Sequence, residues 1–106
     1  MIKLVEFLVR KDEYSHDEFV ERWEGDHAAI ARELPGLRRY STSVPTNPDD
    51  VEYDGVLELA FESEQALNEA FASEVGEEVM ADAAEFVEVG AGPRMVVDET
   101  VQLEDE

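Results

Sequence analysis

Apolar residues recur along the chain with two different periods, which separate strands from helices. Ile2–Arg10 is rich in β-branched and aromatic residues and is apolar on both alternating faces, which predicts a first strand. Leu37–Val44 and Gly55–Phe61 show similar patterns and predict two more strands, the latter with a clean alternation. Arg94–Leu103 predicts a fourth.

The segments between the predicted strands show the periodicity of helices. Ser15 can cap a helix whose capping box closes with Glu18, and Tyr14 can pack against Phe19. We expect this helix to end at Leu34, because a Pro-Gly pair follows.

A second helical region precedes the fourth strand and is predicted to be split. Ser63 can cap a short helix through Phe71, and the segment ASEVGEEVMADAAEFVEV continues as another helix. The Gly- and Pro-containing segment VGAGPR then forms a turn. One face of the longer helix carries its apolar residues, which are Val75, Val79, Ala83 and Phe86.

The element order β-α-β-β-α-β predicts a ferredoxin-like α+β fold, in which helices cover one face of a four-stranded antiparallel sheet. We expect a single domain over residues 1–103, followed by an acidic tail at 104–106. The uncovered face of the sheet is predicted to mix aliphatic and charged residues and to pair with a second copy in a homodimer. Its predicted members are Ile2, Leu4, Glu6, Leu8, Arg39, Val56, Glu58, Ala60, Val96 and Asp98.

His27 lies among apolar residues on the first predicted helix. At about 100° per residue, an arc roughly 120° wide holds the apolar residues of this helix, with His27 near its middle and Trp23 one turn earlier. Gly25 falls on the opposite side, and Asp26 cannot face His27 because adjacent helical residues point apart. The remaining members of the arc are Phe19, Val20, Ile30, Ala31 and Leu34.

Two interpretations of His27 remain open at this stage. It is either a core histidine bonded to a backbone carbonyl or water, or an acid/base group that projects into a cavity between helix and sheet. No metal is predicted, because His16 lies three turns away and cannot share an ion with His27. Trp23, Tyr40 and Tyr14 are candidate ligand-binding residues, each with packing as its alternative. General burial preferences favour a solvated carboxylate for Asp82.

The net charge of the chain limits the classes of partner that it can bind. Eight Lys and Arg against 28 Asp and Glu give a formal net charge of −20, with acids scattered along a chain that contains two lysines. Such a surface suggests a halophilic archaeon as the source, an ordinary acidic protein being the alternative. It opposes binding to nucleic acid or anionic membranes. Without a signal peptide pattern, membrane span or cysteine, we expect a cytoplasmic protein.

The pattern Phe-x-x-x-Trp-x-x-x-His, followed by Leu-Pro-Gly, resembles the start of an EthD-type domain, and YDGVLELAFESEQALNEAFAS with ADAAEFVE resembles its later part. The resemblance implies a dimeric α+β barrel with a ligand cavity between helices and sheet in each protomer. The wider superfamily includes cofactor-free monooxygenases, isomerases, dehydrochlorinases and polyketide cyclases. The resemblance also implies proton transfer by His27 and no cofactor. The cysteine that some relatives place in the cavity is missing from this chain.

Three functions are compatible with these observations. The first is a small enzyme that isomerises, eliminates from or oxygenates a compact apolar organic molecule, with His27 as its acid/base. The second is a ligand-binding module of the same fold without chemistry. The third is a structural dimer whose cavity is closed by side chains.

Overall fold

A computed structural model describes residues 1–105 of the chain, so the predicted acidic tail ends outside the described residues. The strands are β1 (Ile2–Leu8), β2 (Arg39–Ser43), β3 (Gly55–Phe61) and β4 (Arg94–Asp98). They form one antiparallel sheet in the order β2-β3-β1-β4, which confirms the predicted ferredoxin-like topology.

Three predicted strands are longer than those observed. Arg10 lies beyond β1 and contacts Val87 only in an isolated bridge. The last strand ends at Asp98, and the Glu99 N–H bonds to the Met1 carbonyl just beyond it. Apolar residues after position 98 extended the prediction, but β1 begins at Ile2, which already pairs with Asp98.

The helical segments are α1 (His16–Arg22), a π-helical turn (Trp23–His27), α2 (Ala28–Ala31), a 3₁₀ turn (Pro48–Asp50), α3 (Glu64–Ala72) and α4 (Glu74–Phe86). The predicted capping box is present: the Ser15 hydroxyl accepts from the Glu18 N–H at 3.1 Å, and the Glu18 carboxylate accepts from the Ser15 N–H at 2.9 Å. The first helical stretch ends at Ala31, three residues earlier than predicted.

The π-helical turn aligns one buried stripe along the first helical stretch. Phe19, Trp23, His27 and Ala31 are spaced by four residues and are all buried. An uninterrupted α-helix would rotate Ala31 about 120° away from Phe19, whereas absorbing one extra residue in a π turn reduces this angle to about 20°. The local winding therefore keeps His27 in line with the buried aromatic residues.

The helices cover the face of the sheet that carries Leu4 and Leu8 of β1, which are 1% and 5% exposed. Leu4 pairs with Leu59 of β3 and with Val96 of β4, so these residues share that covered face. The prediction that the even-numbered residues of β1, together with Val96 and Asp98, lie on the open face is therefore wrong. Because β1 is apolar on both faces, alternation alone did not reveal which face the helices cover.

The open face is built from the other parity of each strand. On β1 it carries Lys3, Val5 and Phe7, which pair with Ala60, Glu58 and Val56 of β3 in the observed register. The last three were correctly predicted for this face, as was Arg39. Further members are Ser41, Ser43, Met95 and Val97. This surface combines aliphatic residues with a 2.5 Å ion pair between Lys3 and Glu58.

Candidate active site

A cavity of about 170 Å³ lies between the helices and the covered face of the sheet. Its walls are mainly apolar, with Leu4, Leu57 and Leu59 on the sheet side. Met80 and Val89 also line it and are 47% and 57% exposed, so the cavity reaches the surface there. The polar or charged side chains at the cavity are Glu6, His27, Tyr40 and Arg94. An open cavity argues against the interpretation that side chains close it.

His27 is held at the cavity wall by one specific hydrogen bond. The side chain is 8% exposed, and its Nδ1 lies 2.7 Å from Oδ2 of Asp82 on α4. The His27 ring also meets the edge of Phe86, with centroids 5.2 Å apart. His27 lines the cavity, and its Nε2 makes no hydrogen bond to any of residues 1–105.

Asp82 is in turn clamped by Arg22. Two guanidinium nitrogens donate to its two carboxylate oxygens at 2.7 and 2.8 Å, and the guanidinium carbon lies 4.9 Å from the centre of the Phe86 ring. The hydrogen bonds from Arg22, aided by the one from His27, lower the pKa of Asp82 to about 2. The same contact raises the pKa of Arg22. The carboxylate is thus ionised in ordinary conditions.

The ionisation state of Asp82 determines where His27 carries its proton. An ionised carboxylate can only accept hydrogen bonds, so Nδ1 must be the protonated nitrogen when the imidazole is neutral. The lone pair then lies on Nε2. Nε2 is therefore the ring nitrogen that can accept a proton.

The expectation that Asp82 is a solvated carboxylate is therefore wrong: its side chain is 15% exposed and bonded to two partners. Asp82 lies on α4, 55 residues from His27, at the margin of that helix's apolar face. Helical periodicity places it at this margin but does not show which residue it meets. The one sequence signal was an acid beside an apolar stripe that also carries Phe86.

The structure brings Trp23 and Tyr40 to the cavity with His27, but not Tyr14. Tyr14 packs against Phe86 instead, with ring centroids 6.3 Å apart. The Tyr40 hydroxyl is buried without a hydrogen-bond partner among the described residues, and burial raises its pKa to about 12. An unpaired buried hydroxyl of this kind is rare in folded proteins.

The second histidine belongs to a different cluster. His16 Nδ1 lies 2.9 Å from Asp54, whose carboxylate also accepts the Arg10 backbone N–H at 3.0 Å. Across residues 1–105, no group of three or more His, Asp or Glu side chains could hold a metal ion. Within the same range, no helix is both long and apolar enough to cross a bilayer.

Comparison with solved structures places this fold among known proteins. An EthD family protein from Bacillus halodurans superposes with a TM-score of 0.79 at 22% identity, covering 94% of this chain and 99% of that one. HapK from Hahella chejuensis gives 0.78 at 12% identity, covering 100% and 99%. SnoaB from Streptomyces nogalater, a cofactor-independent oxygenase, gives 0.72 at 13%, covering 98% and 97%. At these identities the likeness shows the fold alone.

Comparison at the level of sequence gives the family. A search of curated proteins returns no significant match. The family model of the EthD domain matches residues 11–90, which is three-quarters of the chain. The match includes the helical stretch with His27 and the helix that carries Asp82. The chain therefore belongs to the EthD domain family.

Proposed function

We propose that this protein is an enzyme that moves a proton on a small, largely apolar organic molecule, with His27 as its general acid/base. The observation that supports this most strongly is the arrangement of His27 between Asp82 and the cavity. Its Nδ1 bonds to an ionised carboxylate at 2.7 Å, and its Nε2 has no protein partner among residues 1–105. A base oriented by a second group is the usual arrangement for general acid/base catalysis.

The cavity restricts the substrate to a compact molecule. Its volume of about 170 Å³ suits one or two fused rings, and its walls offer mainly aliphatic and aromatic contacts. Tyr40 is among the lining residues, and its hydroxyl is buried without a hydrogen-bond partner among the described residues. Because a general base needs an acidic proton to remove, we propose a carbonyl compound with an acidic C–H as the substrate class, with Trp23 and Tyr40 as ligand-binding residues.

Removal of such a proton begins several reactions. Nε2 takes the proton from the carbon beside the carbonyl, and the C–H electron pair moves to give an enolate. Isomerisation, elimination and cofactor-free oxygenation all proceed from this intermediate, and none of these first steps needs a cofactor. The fold is shared with SnoaB, which is named a cofactor-independent oxygenase.

Exchange of α-protons on 2-tetralone in D₂O, followed by NMR in molar KCl, tests this proposal without a known substrate. We expect wild type to accelerate exchange, and His27→Gln to lower the protein-catalysed rate by about 10²–10⁴-fold. His16→Gln is the matched control, because its imidazole lies in another cluster, and it should retain the wild-type rate. Equal rates for wild type and His27→Gln would contradict the role of His27.

A ligand-binding module without chemistry is the alternative, and the mainly apolar lining of the cavity favours it as far as binding goes. In that case 2-tetralone binds, as shown by its effect on cavity resonances, while its exchange stays at the buffer rate. The same samples therefore separate the two functions.

The assembly and setting that we propose follow from the surface. Val5, Phe7 and Met95 on the open face support a homodimer formed through the sheet, and one structural neighbour is described as dimeric. A monomeric mass by light scattering in molar KCl would contradict this. The net charge of −20 supports a cytoplasmic protein of a salt-rich cell, and we expect its melting temperature to fall on desalting.

A further inference from the structure

Glu6 places a carboxyl group on the sheet side of the cavity. It lies in the middle of β1 and shares its face with Leu4 and Leu8, both of which are buried. Its neighbours across the sheet are Leu57 on β3 and Arg94 on β4. An acid therefore occupies a position where the two neighbouring residues of the same face are core leucines.

The carboxyl group of Glu6 is poorly compensated by the protein. Its side chain is 21% exposed, and it receives no hydrogen bond from the described residues. The nearest cation is Arg94, whose Nε lies 3.9 Å away, beyond hydrogen-bond distance. Burial raises the pKa of Glu6, and the Arg94 charge opposes this only in part. Retaining such a group in an apolar wall costs stability, which points to a role in the cavity.

We propose that Glu6 is a second acid/base group of this cavity, which exchanges a proton with one atom of the substrate while His27 serves another. This inference rests on the proposed function of His27. The two groups lie on opposite walls, Glu6 on the sheet and His27 on the helical layer, so a flat molecule between them can be reached from both sides. The charged or titratable groups that line the space around them are Arg94 on β4 and Tyr40 on β2.

The pair suits a proton shift along an unsaturated carbonyl compound. Nε2 of His27 takes a proton from the carbon between the carbonyl and a C=C bond, and the electron pair forms a dienolate. Protonated Glu6 then delivers its proton to the far carbon of the former C=C bond, while the enolate oxygen reforms the carbonyl. The proton on His27 returns to Glu6 through water, so substrate and product are isomers and the protein is unchanged.

Conversion of cyclohex-3-en-1-one to its conjugated isomer, followed by ultraviolet absorbance in molar KCl, tests this role. We expect Glu6→Gln to lower kcat by about 10²-fold. In the same variant, α-proton exchange of 2-tetralone, which needs only one base, should fall by a much smaller factor than isomerisation does. Glu62→Gln, an exposed acid paired with Arg38, is the matched control and should isomerise at the wild-type rate.

Two further variants separate a proton-transfer role from a structural one. Glu6→Asp keeps a carboxyl group and should recover part of the isomerisation that Glu6→Gln loses. Arg94→Gln removes the charge that lowers the pKa of Glu6, so the pH dependence of isomerisation should shift upward. A purely structural ion pair would change stability without moving that profile.

Each outcome decides between the two levels of the proposal. If Glu6→Gln isomerises at the wild-type rate while His27→Gln loses both isomerisation and exchange, the role of Glu6 is overturned and the role of His27 stands. Absence of both reactions in wild type would overturn the proposed function together with this inference. A much larger loss of isomerisation than of exchange in Glu6→Gln supports the inference, and equal losses of the two reactions would overturn it.

Discussion

Truncation of Asp82 to alanine removes the side chain that connects α4 with Arg22 of α1 and His27 of the π-helical turn. Its carboxylate accepts three hydrogen bonds at 2.7–2.8 Å, two from Arg22 and one from His27. Hydrogen bonds to charged groups contribute about 1.5–3 kcal/mol each, but Arg22 is 20% exposed and can turn toward Glu85 or water. We therefore expect a total loss of about 2–4 kcal/mol in the free energy of unfolding.

Thermal denaturation in molar KCl measures this loss. For a domain of this size, about 2–4 kcal/mol corresponds to a decrease of roughly 10–20 °C in Tm. High salt will weaken the effect only slightly, because the pair is largely shielded from solvent. Asp26→Ala, an exposed acid on the π-helical turn, is the matched control and should change stability by no more than about 0.5 kcal/mol.

A double-mutant cycle between Asp82→Ala and Arg22→Met assigns the loss to their contact. We expect a coupling energy of at least about 1 kcal/mol, since the two side chains share a bidentate pair. If the two single losses simply added, or if Asp82→Ala were as stable as Asp26→Ala, the clamp would contribute nothing and this reasoning would be refuted.

Other variants test the electrostatics and the packing around the cavity. The pKa of Asp82 is lowered from 3.8 to about 2, so the stability that its carboxylate contributes is present above pH 3.8 and is lost as pH falls toward 2. The free energies of unfolding of wild type and Asp82→Asn, measured by chemical denaturation, should therefore converge near pH 2. The pKa of Glu6 is raised above 4.5, so folding favours its protonated form and wild type loses stability as pH rises through that pKa. The Tm of Glu6→Gln should therefore exceed that of wild type at pH 7 but not below pH 4.5. In Gly55→Ala the new Cβ meets the Trp23 ring, which should cost about 1–3 kcal/mol in urea denaturation, whereas Gly25→Ala, with nothing within 4 Å, should gain about 0.5–1 kcal/mol.

The element order and the burial of His27 could be predicted from sequence because both depend on local periodicity. Gly55–Phe61 alternates cleanly, and the observed β3 has the same bounds. The parity of β1 could not be predicted, since Leu4 and Val5 offer equally apolar faces and only the packing of the helices distinguishes them. The π-helical turn was also missed, because a wheel at about 100° per residue assumes uniform winding.

The candidate site was predicted in part: His27 and Trp23 share one helical stretch, and Tyr40 of β2 was a candidate because of its aromatic side chain. Trp23 and His27 lie one turn apart, so their proximity follows from the helix itself. Asp82 and Glu6 reach the site from α4 and β1, and their placement depends on tertiary packing between elements distant in sequence. In a chain with 28 acidic residues, Asp82 and Glu6 have no local sequence pattern that separates them from the solvated acids.

The tautomer of His27 and its contact with a bound ketone test the central claim most directly. NMR of ¹⁵N-labelled histidine in molar KCl should show the proton of the neutral His27 ring on Nδ1, held by Asp82. Addition of 2-tetralone should then shift the Nε2 resonance of His27 and leave both ring nitrogens of His16 unchanged. A proton on Nε2 in the neutral ring, or an unchanged His27 while the ketone is bound, would contradict the account.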